Sequence, residues 1–177
     1  MLPQSATEQI VNLSSSKSTY SVVIPDYVPV ANATDLLQLI GAVGKLITVT
    51  MIRINSAATT ATFENFYAYK RTAPNTGGTI SNPAVAKHDS RDPAPSAVVN
   101  QYSANPSALG AGVLVRSEHV SASAAAAGNL VTEWIFGDRA AKALILNGPN
   151  ESLCLNFGGN SVPAGTNVHM TIEWTEE

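Results

Sequence analysis

Leu46-Ile47-Thr48-Val49-Thr50-Met51-Ile52-Arg53-Ile54 (LITVTMIRI) is the stretch on which the fold reading turns. It is dense in β-branched residues and carries apolar side chains on both parities, the pattern of a central strand covered on both faces. Ala61 to Lys70 (ATFENFYAYK) follows after a small-residue turn and places Phe63, Tyr67 and Tyr69 on one face with Asn65 between them. Two strand patterns joined by a short turn predict a long hairpin.

Outward from this pair the same grammar repeats. Thr19–Ile24 reads as a strand stopped by Pro25, and Asp35–Ile40 reads as a strand because Gly41 and Gly44 leave too little length for a helix. Towards the C-terminus, strand signals occur at Val113–Val120, Leu130–Phe136, Ala143–Leu146, Ser152–Phe157 and Val168–Trp174. The last two alternate: Leu153, Leu155 and Phe157 point inward, as do Val168, Met170, Ile172 and Trp174, with Asn156, His169, Thr171 and Glu173 on the other face. The Ala-rich run Ser121–Gly128 is too short for a stable isolated helix and reads as a loop or single turn. Between Thr72 and Gly112, prolines 74, 83, 93, 95 and 106 and the pair Gly77-Gly78 leave little room for regular structure. Ser96–Tyr102 fits a short strand or a helix capped at Asp92-Pro93. A connection of this length inside a compact domain usually carries a contact.

Eight or nine evenly spaced strands without an amphipathic helix predict an all-β fold, an antiparallel two-sheet sandwich of jelly-roll type. Residues 1–18 read as an extended N-terminal arm, since Ile10, Val11 and Leu13 lie there in a polar setting, and 19–177 as one domain. A chain of 177 residues suits a single domain with a sizeable core.

Composition narrows the function classes. Charged residues are 13% against 45% apolar, about half the usual charged share, which suits a protein whose faces are covered by neighbours. Net charge is −3 and the ten Lys and Arg are scattered, with only Lys70-Arg71 adjacent, so no direct nucleic-acid contact is expected. No apolar run approaches the ~20 residues of a membrane-spanning helix, and Met1–Ser5 does not open a secretory signal. Cys154 is the single cysteine, flanked by Leu153 and Leu155, and reads as a small buried side chain.

Motifs with chemistry are scarce. Gly41-Ala42-Val43-Gly44-Lys45 has the look of a phosphate loop, but Leu39 stands where its first glycine belongs and Leu46 where Ser or Thr belongs. His88-Asp89-Ser90-Arg91-Asp92 is the most polar cluster. Adjacent residues cannot align as a catalytic triad, and His88, Asp89 and Asp92 need a further ligand to hold a metal. The alternative is a loop tied by Arg–Asp pairing and Asx-turns. Glu64, Glu118, Glu133, Asp138 and Glu173 supply carboxylates, mostly at outward strand positions, and Trp134 and Trp174 share parity with core residues. No enzyme, cofactor or metal is expected.

Thr62–Gly78 (TFENFYAYKRTAPNTGG), His88-Asp89-Ser90 with Asp92-Pro93, Tyr102-Ser103-Ala104-Asn105-Pro106 and the ending Ile172-Glu173-Trp174-Thr175-Glu176-Glu177 together resemble small virion structural proteins of tailed bacteriophages. The resemblance covers roughly residues 30–177, and the Tyr-x-x-Asn-Pro piece and the C-terminal hexapeptide are its most specific parts. It implies a location in the virion, after synthesis in a bacterial cytoplasm, and brings no catalytic residues. The expected role is a capsid decoration (cement) protein bridging major capsid subunits as a homotrimer. Ile10, Val11, Leu13, Tyr27, His88, Asp92 and Tyr102 are the candidate contact residues. A tail, collar or baseplate domain, and a glycan-binding module presenting tyrosines, are the alternatives.

Overall fold

A computed structural model describes residues 17–124, 131–138 and 141–177. Twelve strands are present among them: β1 (Ser18–Tyr27), β2 (Asp35–Ile40), β3 (Leu46–Ala58), β4 (Thr62–Arg71), β5 (Thr79–Ser81), β6 (Val85–Lys87), β7 (Val98–Ala104), β8 (Gly112–Ala124), β9 (Thr132–Ile135), β10 (Leu144–Asn147), β11 (Ser152–Asn156) and β12 (Asn167–Glu176). The all-β expectation holds. The two-sheet sandwich does not: hydrogen bonding runs through one mixed, strongly curled sheet in the order β5-β7-β2-β11-β4-β8-β3-β12-β1-β6, a half-barrel.

The length of β3 explains the difference. Its thirteen residues outrun any single neighbour on one side, so three strands share that edge end to end. Leu46–Val49 pair with β10, Met51–Ile54 with β9, and Ser56–Ala58 run parallel to Ala122–Ala124 of β8. That last contact joins what would otherwise be two sheets. It also overturns the expected hairpin, because β8 lies between β3 and β4. The opposite edge of β3 is covered along nearly its whole length by β12.

The curl brings the ends of the sheet together. The end strands β5 and β6 are separated by only Asn82-Pro83-Ala84, and four residue steps span at most about 14 Å. These three residues therefore bridge the mouth of the half-barrel. Segment 72–112 is accordingly richer in structure than its prolines suggest, containing β5, β6 and β7, and Val98–Ala104 is a strand rather than a helix. Strand β1 likewise continues beyond Pro25. A register shift between Ile24 and Tyr27, with Asp26 at φ 51°, absorbs the missing N–H donor in an irregularity.

The concave face holds the core: Tyr20 and Val22, Ile47, Val49, Ile52 and Ile54, Phe66, Leu39, Leu153 and Leu155, and Met170, Ile172 and Trp174. Tyr20 stacks on Trp174 at 5.9 Å between ring centroids, and Phe66 meets Phe157 at 4.6 Å. Trp134 and Trp174 are buried as their parity predicted, and Cys154 is the small buried side chain expected. Strand β3 is central, but its convex face is only partly covered, with Arg53 exposed. Every residue of β11 is buried, including Asn156, because the convex side of this part of the sheet is covered too.

Candidate interaction surface

What covers β11 is the long connection folded back on the sheet. Thr72 and Thr76 donate backbone hydrogen bonds to Ala111 and Ala108, giving a small ladder that lies over β2, β4 and β11. The layer between is polar. Asp35 accepts from Arg71 Nε and Nη2 at 2.7 Å each, from Asn75 Nδ2 at 2.7 Å and from Asn156 Nδ2 at 2.5 Å. Arg71 Nη1 donates to the Gly110 carbonyl at 2.7 Å, and Gly110 N–H donates to Asn75 Oδ1. Tyr102 Oη donates to Gln38 Oε1 at 2.7 Å, and Gln38 Nε2 to Ser152 Oγ at 2.9 Å. Asp35 and Arg71 are 1% and 5% exposed. Burial works against the Arg71 charge, but hydrogen bonds and charge from Asp35 outweigh it and hold the guanidinium pKa up. This network joins sheet to overlay, and a depression of about 220 Å³ beside it is lined by Thr34, Tyr69, Arg71, Leu109, Asn156 and Gly158.

Two of the expected contact residues belong to this interior. Tyr27 and Tyr102 are 6% and 4% exposed, and Tyr27 Oη donates to the Tyr102 carbonyl at 2.6 Å. Burial pushes the Tyr27 hydroxyl up to about 12 and raises that of Tyr102. As folded, neither reaches a partner. Their large apolar rings needed the core more than the rim. Of the other tyrosines, Tyr20 is buried and Tyr67 and Tyr69 are half-buried. Ile10, Val11 and Leu13 lie outside the described residues, as does most of the 1–18 arm.

The cluster at 88–92 is a tied turn. Arg91 donates through N, Nε and Nη2 to the Asp89 carboxylate, whose pKa those hydrogen bonds lower to about 2. Lys87 Nζ donates to the carbonyls of Ser90 and Asp92, and Ser18 Oγ to Asp92 Oδ1 at 3.1 Å. His88 is exposed, its backbone N–H bonded to Thr19. No group of three or more His, Cys, Asp or Glu close enough to hold a metal ion occurs among the described residues. Glu64 departs from the expectation of an outward carboxylate. It is buried, accepting from Ser56 Oγ at 2.7 Å and Thr166 Oγ1 at 2.5 Å.

Several residues of the motifs quoted above have visible structural work. Asn105 Oδ1 accepts from Thr34 N–H and its Nδ2 donates to the Asn32 carbonyl. Glu176, 7% exposed, accepts from the backbone N–H of Ser96 and Ala97 and from Trp174 Nε1 at 3.0 Å. This carboxylate fastens the start of β7 to the far half of the sheet.

One exposed surface is the convex face of β1, β12 and β3. Thr19, Thr175 and Thr48 stand in one cross-strand row, and Ser21, Glu173, Met51 and Ile135 in the next. At the threonine end, Thr19, Thr48, Thr50, Thr175 and Phe136 line a depression of about 480 Å³ in which Lys17 is the sole charged residue among the described ones. This end of the face carries short hydroxyl and apolar side chains, which are cheap to dehydrate compared with charged ones, while Arg53, Glu173 and His169 stand further along the same face. Comparison with family models, with curated proteins and with solved structures finds no match for this chain.

Proposed function

We propose that this chain is a structural protein of a bacteriophage virion, a decoration protein that sits on the head and bridges major capsid subunits as a homotrimer. The observation that carries the reading is the threonine row at one end of the convex face, with the Phe136 depression beside it. The low overall charge and the motif resemblance support it. Each subunit would bury this face against a capsomer, and at roughly 25 cal/mol per Å² of apolar area modest contacts repeated over many copies would stiffen the shell. Quantitative mass spectrometry of purified particles tests the proposal: hundreds of copies per particle are expected. Three, six or twelve copies would move the protein to the tail and defeat the decoration role. Thr48→Arg and Thr175→Arg, at half-buried convex positions, should abolish particle binding while leaving circular dichroism unchanged.

A further inference from the structure

Strand β8 is paired on one side only for most of its length. Its bonds to β4 run from Gly112 to Ala122, but its bonds to β3 begin only at Ala122. Strands β9 and β10 pair with β3 and not with β8. Among the described residues, no strand pairs with the other edge of β8 from Gly112 to Val120. That edge is an open row of backbone donors and acceptors about 30 Å long at ~3.3 Å per residue. Seven of the eight residues from Gly112 to His119 are exposed, including Val113 at 64% and Leu114 at 49%, so side chains of both parities meet solvent. Edges of this kind are normally blunted by proline, by lysine or by being short. Gly112–Val120 contains neither residue type. Its one irregularity is an extra residue at Val115, between the pairs Arg116–Ala68 and Leu114–Tyr69.

The charges on this edge select what pairs with it. Arg116 and Glu118 stand opposite Ala68 and Phe66 of β4, on one face of the sheet. Both are exposed, and neither has an ion-pair partner among the described residues. Arg116 donates to the Val115 carbonyl, and its guanidinium lies 5.1 Å from the centre of the Phe136 ring. Two copies joined antiparallel along this edge are related by a two-fold axis perpendicular to the sheet. That axis keeps every side chain on its own face, and directly opposed residues of a ladder share a face. The axis therefore passes through a residue and not between two. Centred on Arg116 it sets Arg116 against Arg116, and centred on Glu118 it sets Glu118 against Glu118. Centred on Ser117 it sets Arg116 of each copy opposite Glu118 of the other, with Val115 opposite His119. Opposite charges across a ladder attract, and like charges destabilise it. Arg116-Ser117-Glu118 is thus complementary to itself in one register and disfavoured in the two beside it.

We infer that this edge binds a second copy of the chain, β8 against β8 antiparallel about Ser117, so that the sheet runs on from β4 through both β8 strands into β4 of the second copy. The ladder from Val115 to His119 has an ordinary strand length. A two-fold contact cannot itself close a trimer, so it joins copies in even number. Sedimentation equilibrium of the full chain, of Arg116→Glu, of Glu118→Arg and of the double swap tests this. At about 100 µM, where a contact of micromolar Kd is mostly formed, the full chain should be an even-numbered assembly. Each single variant sets like charges opposite and should weaken association at least tenfold. The two single variants mixed one to one should associate, because each then meets its opposite charge, and the double swap should associate as the full chain does. Recovery in these two arms separates a lost contact from a lost fold. A full chain that is monomeric at this concentration would overturn the inference. So would an assembly of odd number only, single variants that associate undiminished, or a mixture no stronger than its components. None of these results bears on particle copy number, so this contact and the decoration role stand or fall separately.

Discussion

Replacing Asp35 by alanine removes the acceptor at the centre of the buried polar layer, and the structure sets the size of the effect. Four hydrogen bonds end on this carboxylate, two from Arg71 and one each from Asn75 and Asn156. Without it the Arg71 guanidinium stays buried with Gly110 carbonyl as its remaining hydrogen-bond partner in the network. Breaking a buried ion pair from one side costs about 3–5 kcal/mol, because the uncompensated charge remains out of water. For a chain of this size each kcal/mol lowers Tm by about 2–4 °C, giving a loss of about 6–20 °C. Urea unfolding of Asp35→Ala should show a lower midpoint at unchanged slope. The double variant Asp35→Leu with Arg71→Met should recover a large part of the loss, since apolar replacement of both partners removes the stranded charge. A single-variant cost below about 1 kcal/mol, or a double variant no better than the single, would refute this account of the layer.

Other consequences follow from separate parts of the molecule. Tyr27 ionises near 10.0 when unfolded and near 12 when folded, so the folded state retains a proton that the unfolded chain has lost. Its stabilising effect is complete below about pH 10 and falls away as pH rises towards 12, by about 2–3 kcal/mol at 1.36 kcal/mol per unit. Urea midpoints between pH 9 and 12 should decline, and less steeply in Tyr27→Phe. Glu176→Ala strands the N–H groups of Ser96 and Ala97 and should cost about 2–3 kcal/mol, with a shift in Trp174 fluorescence as a local readout. Cys154 is fully buried with its thiol pKa raised by burial; it should react with a thiol reagent only at the rate of unfolding, and rapid labelling under native conditions would contradict the packing. Gly110→Ala drives a Cβ into the Ala73 carbonyl and should cost about 1–3 kcal/mol of stability, read as a lower urea midpoint.

The sequence made some of this visible and concealed the rest for identifiable reasons. Alternation located β11 and β12; in β12 the inward residues Val168, Met170, Ile172 and Trp174 are buried, whereas in β11 both faces are. It could not reveal that β8 intervenes between β3 and β4, since a short turn after a strand normally signals a hairpin and only three parallel pairs, Ser56–Ala58 with Ala122–Ala124, decide otherwise. Periodicity says which side a residue faces but not what covers that side. Asp35, Gln38 and Arg71 therefore gave no sign of forming a buried layer, because the overlay at 72–78 and 105–111 reads as loop. The tyrosines failed as surface markers for the same reason. Tyr27 and Tyr102 carry a polar tip that reads equally as rim or as network, and their partners lie seventy-five and sixty-four positions away in the chain.

The position of β12 between β3 and β1 has a kinetic consequence. Of the described strands, the last to be synthesised is the one on which the first must pair. Until it emerges from the ribosome, Tyr20, Val22 and Ile24 have no neighbour on that side, and the nascent chain carries an unfinished half. Native pairing is then delayed until β12 has been made, and the slow, long-range assembly typical of such topologies sets its pace. A chain stalled or cut before Asn167 would be left with an exposed β1 and a strong tendency to aggregate.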